Sequence, residues 1–330
     1  MSLKEVLKKN KILRKTVKKL KIRKEFNKDY RNFSKYYIEA DNMINHTEYE
    51  LLLLVHSLEK GMSNEKLRPF GEKKVLEIID LLNKYKNYKP ENYSTSYKMG
   101  IEILKEWKKI YDDNSWSKSI AYNSVSEFLG TSKVNTTDIN VGTMPYLKET
   151  IEKYKNFNYL EAISTRHSVR KFQTKKIEEK DLKYCLEAAM LTPSACNRQM
   201  CKIYYIENEE KAKVLSNIIM GLSGFEKETV NFFVITYDLT AFSFYGERNQ
   251  GNINAGLFAM NFVNAMHFKG IGSCFLQWGN TSKEEEHIKK CLNIPDNEKI
   301  AIVIGAGYYV ESNRIPKSQR KKVEEVFKKI

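Results

Sequence analysis

Residues 166–172 read Arg-His-Ser-Val-Arg-Lys-Phe, and this stretch carries the most recognisable chemistry in the chain. If its backbone is extended, neighbouring side chains point to opposite sides, so Arg166, Ser168 and Arg170 share one face and Val169 lies on the other. Two guanidinium groups and a hydroxyl form a phosphate-sized set of donors, and each charge-assisted hydrogen bond contributes about 1.5–3 kcal/mol when well aligned. The stretch therefore predicts a phosphate site, with a solvated basic turn as the alternative interpretation.

Residues 193–199 read Pro-Ser-Ala-Cys-Asn-Arg-Gln and form a second distinctive segment. Its small side chains can lie flat against a planar ring system, and its amides can hydrogen-bond to the edge of that ring. A ring site and a phosphate site in one chain together indicate flavin mononucleotide (FMN) as the cofactor.

Hydrophobic periodicity divides the chain into two regions, with a boundary near residue 145. Before the boundary, apolar residues recur at helical spacing over 3–26, 49–58, 73–84 and 97–111. The stretch 113–145 is rich in Ser, Thr and Asn, which predicts a loop or linker. Residues 1–145 are therefore predicted to be a helical N-terminal extension.

Residues 146–330 alternate between helical and strand-like patterns, which predicts an α+β domain. The predicted helices cover 146–164, 178–191, 209–220, 252–268 and 282–292. The predicted strands cover 202–206, 231–237, 273–278 and 300–305. The helix over 252–268 is apolar almost all round, which predicts a central position or a place at a subunit interface.

The net charge of +15 is concentrated at the N-terminus, where residues 1–31 hold 13 Lys or Arg and three acids. A basic amphipathic helix of this kind can lie on an anionic membrane surface, bind an acidic partner, or pack on the rest of the protein. No apolar run approaches the length of a spanning helix, so we expect a cytoplasmic protein, with peripheral membrane contact as an option. The histidine and cysteine spacing predicts no metal site, and no recognition motif predicts nucleic-acid binding.

The order of several motifs resembles that of the nitroreductase family of flavoproteins. The family has an Arg-Arg/His-Ser-x-Arg/Lys-x-Phe segment, similar to 166–172, and a Pro-Ser-x-x-Asn-x-Gln loop, similar to 193–199. A long buried helix then runs into Gly-Leu-Gly-Ser/Thr-Cys, similar to 270–274, before a Gly-Tyr-type strand and a basic tail, similar to 305–308 and 315–320. The resemblance covers roughly 150–325, and the chain looks like a subgroup with a helical N-terminal extension.

This resemblance implies a mixed, largely antiparallel sheet flanked by helices, a homodimer, and one FMN at each of two sites on the dimer interface. Contacts with the phosphate and the ribityl chain are implied for Arg166, His167, Ser168, Arg170, Lys317 and Arg320. Contacts with the ring are implied for Pro193, Ser194, Ala195 and Asn197, supplied by the partner subunit, for Gln199, and for the amides around Ile271 and Gly272.

The activity that the resemblance implies is an FMN-dependent oxidoreductase with NAD(P)H as reductant. Hydride transfer would follow a ping-pong course to a quinone, a nitro compound or another small electron-poor acceptor, and no side chain is predicted to be a general acid. One alternative is a flavin-dependent dehydrogenase that tailors a biosynthetic intermediate, for example in a polysaccharide pathway. Another is a membrane-associated assembly protein whose flavin site is vestigial.

Overall fold

The computed structural model describes residues 11–38, 40, 43–62, 67–116, 118–143, 158–219, 222, 225, 230–243, 245–311 and 323–330. Among its described residues, the region before residue 145 has five helices: α1 (Lys11–Ile38), α2 (Ile44–Met62), α3 (Glu72–Asn87), α4 (Thr95–Asp113) and α5 (Ile120–Thr131). Helices α2 to α5 share one apolar core, in which Trp107 is fully buried and donates its indole N–H to the Phe70 carbonyl at 2.8 Å. The helices predicted over 49–58, 73–84 and 97–111 are confirmed.

Helix α5 lies inside the stretch 113–145, so the loop predicted there is wrong over residues 120–131. The helix begins after Ser119, whose side chain accepts a hydrogen bond from the Tyr122 amide at 3.2 Å. It buries Ala121, Tyr122, Val125 and Phe128 in the helical core. These apolar positions have helical spacing. The stretch 113–145 as a whole is mostly polar, so the helical periodicity is difficult to recognise from the sequence.

The second region contains a four-stranded sheet with helices on both faces. Its strands are β1 (Cys201–Ile206), β2 (Asn231–Asp238), β3 (Ile271–Leu276) and β4 (Glu298–Tyr308). Its helices are α6 (Tyr159–Ser164), α7 (Glu179–Met190), α8 (Glu209–Ile218), α9 (Gln250–Phe268), α10 (Ser282–Leu292) and α11 (Val323–Val326). All neighbouring strands are antiparallel and their order is β1-β2-β4-β3. The predicted α+β class and largely antiparallel sheet are confirmed.

The two faces of the sheet bury alternate residues of each strand, as a period of two requires. Phe233 and Ile235 of β2 pack with α7 and α9 in one cluster, whereas Phe232 and Val234 pack with α8 and α10 in another. Helix α9 lies against all four strands and against α7. It is therefore the central helix of this region.

The helical region is joined to the end of β2 through the buried carboxylate of Asp238. This carboxylate accepts hydrogen bonds from the Asn45 side chain at 3.2 Å and from the Tyr49 hydroxyl at 3.3 Å, both on α2. His46 adds a contact of 2.8 Å between its Nδ1 atom and the Thr240 carbonyl oxygen. A buried polar group that loses its hydrogen-bond partner destabilises the fold. These contacts therefore fix α2 on the region that contains the sheet, residues 158–330, which we call the sheet region. Residues 144–157, which include the predicted boundary near 145, lie outside the described residues.

Candidate functional site

Residues 166–172, the predicted phosphate segment, run beside the outer edge of β3. Ser168 forms a parallel bridge with Ser273, and the Val169 amide donates to the Ser273 carbonyl oxygen at 3.1 Å. Val169 is 3% exposed, whereas Arg166, Ser168 and Arg170 are only partly buried. Val169 therefore faces the core, as the alternation predicts, whereas the residues on either side of it are only partly buried.

Glycine at position 272 makes this close approach possible. A Cβ atom on Gly272 would lie 2.3 Å from Cγ2 of Val169 and 2.9 Å from Cε1 of Tyr309. Gly307 has the same role under Phe172, whose Cβ atom would lie 2.6 Å from an added methyl group. The two glycines therefore serve close packing, and they place the predicted amides of 271–272 directly beside the phosphate segment.

A histidine at the end of α9 anchors the start of the phosphate segment. The Nε2 atom of His267 lies 2.8 Å from the Thr165 hydroxyl, and its Nδ1 atom lies 3.0 Å from the Tyr309 hydroxyl. Burial lowers the pKa of His267, and the nearby charges of Arg166 and His167 lower it further. A neutral imidazole in this position adds no positive charge, so the arginines supply the cationic character of the segment.

The guanidinium groups of Arg166 and Arg170 have no anionic partner in the described part of the chain. No carboxylate there lies within ion-pairing distance of either side chain, although ion pairs are common elsewhere on the surface. Arg170 lies over the Phe225 ring, with 5.9 Å between its Cζ atom and the ring centroid. Both arginines are therefore available to an anionic ligand.

A fully buried arginine that the sequence did not reveal as functional holds the second segment in place. The guanidinium group of Arg198 forms a bidentate ion pair with Glu247 and donates to the carbonyl oxygens of Ala195 at 3.0 Å and Ala241 at 2.6 Å. Because 49 residues separate Arg198 from Glu247, no local spacing could have indicated the pair. A basic residue between small loop residues was the only available signal.

The backbone of this loop is strained. Cys196, Asn197 and Gln199 have φ angles of 53°, 52° and 51°, in the left-handed region that favours glycine. Ser194 helps to hold this shape, since its hydroxyl accepts a hydrogen bond from the Gln199 amide at 2.9 Å. Strain of about 1–3 kcal/mol per residue persists only where surrounding contacts enforce it, and it concentrates at functional sites.

A cavity of about 190 Å³ opens between this loop and α9. Its lining residues include Pro193, Ser194, Gln199, Cys201 and Phe258. Burial raises the pKa of the Cys201 thiol to about 12, so this sulfur is a neutral thiol at neutral pH and serves as an apolar wall. Helix α2 packs on the other side of the loop, against residues 195–197, so the helical region supports it from outside.

Within the chain the two predicted segments lie at opposite corners of the sheet. Cys201, where the loop enters β1, pairs with Tyr237, whereas Ser273 pairs with Ala306, which pairs with Asn231. Six residues along β2 span about 20 Å and three strand spacings span about 14 Å, so the corners are about 25 Å apart. The structure brings the phosphate segment together with Ile271 and Gly272, but not with residues 193–199. Lys317 and Arg320 lie outside the described residues.

Comparison with known proteins matches the region that contains both segments. The Nitroreductase family model matches residues 163–245 and 241–308. A protein of Methanothermobacter thermautotrophicus named "Putative NADH dehydrogenase/NAD(P)H nitroreductase" is 24% identical over 173 residues, which are 52% of this chain and 88% of the relative. A protein of the same name from Archaeoglobus fulgidus is 26% identical over 149 residues, 45% of this chain and 84% of the relative.

Among solved structures, an FMN-dependent nitroreductase of Clostridium difficile R20291 aligns with a TM-score of 0.42 and 22% identity, covering 48% of this chain and 92% of that one. The match of the family model includes the phosphate segment, the strained loop and all four strands of the sheet. The part of the chain from residue 163 to residue 308 therefore belongs to the nitroreductase family.

Proposed function

We propose that this protein is an FMN-dependent oxidoreductase that takes electrons from NAD(P)H and passes them to a small, electron-poor acceptor such as a quinone or a nitro compound. The observation that carries the proposal is a pair of arginines, Arg166 and Arg170, beside the Ser168 hydroxyl, for which the described residues provide no carboxylate partner. This donor set fits the dianionic phosphate of FMN in charge and in chemistry. The family match and the names of the two relatives support the same activity.

The proposal also requires a homodimer, because the loop of residues 193–199 lies too far from the phosphate segment of its own protomer. In a two-fold symmetric dimer, a contact between one residue of the first subunit and another residue of the second occurs twice. The loop of each subunit could therefore lie against the phosphate segment of the other. Helix α9 offers such a surface. Its outer side exposes Ile253 at 53%, Leu257 at 48% and Met260 at 37%, and a Cβ atom on Gly256 would contact nothing in the protomer.

Each part of the site has a distinct role. FMN would supply the redox chemistry between the nicotinamide and the second substrate. Arg166, Ser168 and Arg170 bind the phosphate end and neutralise its charge. The backbone around Gly272 and the strained loop orient the ring, so that positioning of the substrates over it accounts for most of the acceleration.

An absorbance spectrum of the purified protein tests this activity directly. We expect the near-ultraviolet and visible bands of flavin, and we expect them to bleach when NADH or NADPH is added without oxygen. Bands that persist after both nucleotides would favour a dehydrogenase that tailors a biosynthetic intermediate. A colourless protein that takes up no added FMN would contradict the enzyme proposal altogether.

Replacing Arg166 with alanine should weaken FMN binding by about 2–3 kcal/mol, roughly 30-fold to 150-fold, because a charge-assisted donor to the phosphate is lost. The dissociation constant can be measured by flavin fluorescence titration of the apoprotein. Arg68→Ala is the matched control, since Arg68 is an exposed arginine of the helical region, and it should bind FMN normally. If both variants bound FMN with equal affinity, Arg166 would not be a ligand of the phosphate.

Replacing Leu257 with glutamate should convert the dimer to a monomer and abolish FMN binding, because a charge in the centre of an apolar interface is left without a partner. Sedimentation or light scattering gives the mass, and absorbance gives the flavin content. Leu76→Glu places the same charge at an exposed leucine of α3 and should leave a dimeric, yellow protein. A monomeric Leu257→Glu variant that retains its flavin would show that one protomer forms the whole site.

A further inference from the structure

Helix α1 has two halves with different surroundings. The second half docks on the sheet region: Glu25 accepts a hydrogen bond from the Ser282 amide at 2.9 Å, and Asp29 forms an ion pair with Lys299 at 2.7 Å. The Phe33 ring lies 5.7 Å from the Phe242 ring, and Tyr36 is 7% exposed. These contacts anchor the helix from residue 25 onwards.

The first half, residues 11–24, extends beyond these contacts. Every residue in it is exposed except Val17, which is partly exposed. Fourteen helical residues measure about 21 Å, so this segment is long enough to reach well away from the anchored half. It contains eight Lys or Arg residues and no acid, which gives it the highest density of positive charge among comparable segments of the described chain.

Three of the five apolar residues of this half form a stripe, while Ile12 and Ile22 lie outside it. At 100° per residue, Leu13, Val17 and Leu20 fall within about 60° of one another, roughly opposite the side that carries Asp29 and Phe33. Leu13 is 38% exposed and Leu20 is 61% exposed. By this projection the stripe lies on the side of the helix opposite the docked residues, with Arg14 and Lys21 on one flank and Lys19 and Arg23 on the other.

We propose that residues 11–24 bind an anionic lipid surface with the Leu13, Val17 and Leu20 stripe against the acyl boundary. A lipid surface provides apolar contact in the middle and negative charge along both edges, which matches this arrangement. The long aliphatic stems of lysine and arginine can lie along the lipid boundary while their charged ends reach the headgroups. A nucleic acid would leave the apolar stripe exposed, so it fits the surface less well.

This contact would be peripheral. No helix in the described part of the chain combines the length and the apolar character that crossing a bilayer requires. Because the anchored half of α1 is fixed to the sheet region, binding of the first half would hold the oxidoreductase region close to the bilayer. The inference concerns α1 alone and does not depend on the flavin site.

Flotation of the full chain with phosphatidylcholine vesicles, with and without phosphatidylglycerol, tests the proposal. We expect binding to the anionic vesicles only, and a decrease in affinity with rising salt concentration. Leu13→Gln with Leu20→Gln, and separately Lys19→Glu with Lys21→Glu, should each weaken binding by more than tenfold. Circular dichroism and flavin content check that these variants are folded.

Two controls match these changes in chemistry but lie on the helical region. Leu76→Gln removes an exposed leucine, and Lys109→Glu with Lys133→Glu reverses two exposed lysines. Both controls should bind anionic vesicles as the unaltered chain does. Equal binding to neutral and anionic vesicles would overturn the proposal. Binding lost only in the lysine variant would also overturn it, because the apolar stripe would then make no contact with the bilayer.

Discussion

Replacing Glu247 with alanine will lower the free energy of unfolding by about 3–5 kcal/mol, because it leaves the guanidinium group of Arg198 buried without its counter-ion. Arg198 is completely buried, and Glu247 is the carboxylate that pairs with both of its terminal nitrogens. The Ser243 amide also loses an acceptor, since it donates to Glu247 at 2.9 Å. Urea unfolding of the apoprotein, followed by circular dichroism, measures the change.

The same substitution should disturb the loop that we assign to the flavin ring. Arg198 donates hydrogen bonds to the carbonyl oxygens of Ala195 and Ala241. If the Arg198 side chain moves, these bonds are lost, and Cys196 and Asn197 can leave their left-handed backbone conformation. FMN affinity should therefore fall together with stability. Arg198→Lys keeps the charge but not the bidentate geometry, so an intermediate effect is expected.

Glu207→Ala is the control for these variants, because Glu207 is an exposed carboxylate just after β1. Its free energy of unfolding should stay within about 0.5 kcal/mol of the unaltered value. If Glu247→Ala proved as stable as this control, Arg198 would not depend on Glu247, and the buried ion pair could not be what fixes the loop.

Replacing Gly272 with alanine will displace the phosphate segment from β3 and weaken FMN binding by more than tenfold. The new methyl group would lie 2.3 Å from Cγ2 of Val169, a distance at which the Val169 side chain or one of the two backbones must shift. Overpacking of this kind typically costs about 1–3 kcal/mol of stability. Because Arg166 and Arg170 belong to the displaced segment, the expected loss appears in both unfolding and flavin titrations.

A second substitution can separate this steric effect from a general loss of stability. Val169→Ala removes the Cγ2 atom that the new methyl group meets, so the double variant Val169→Ala with Gly272→Ala should bind FMN better than Gly272→Ala alone. Gly130→Ala is the control, since nothing lies within 4 Å of the added atom. A double variant no better than Gly272→Ala would falsify the proposed contact as the cause.

Much of the fold could be read from local patterns. The strands predicted over 202–206 and 231–237 agree with β1 and β2 because short runs rich in β-branched and aromatic residues mark them. The strand predicted over 273–278 begins at Ile271 and ends at Leu276, and β4 extends beyond its predicted limits at both ends. Ends of strands depend on pairing with neighbours, which a local pattern does not contain.

The sequence by itself determined the two chemical segments, the inward direction of Val169 in the phosphate segment, and the helical character of the N-terminal region, since each depends on residues that are close in the chain. Only the tertiary structure decided that Arg198 pairs with Glu247, that α2 supports the strained loop, and that the segments occupy corners of the sheet about 25 Å apart. The reason is physical. Side-chain direction and helix periodicity follow from neighbouring residues, whereas burial, ion pairing and distances across a sheet follow from contacts between residues far apart in sequence.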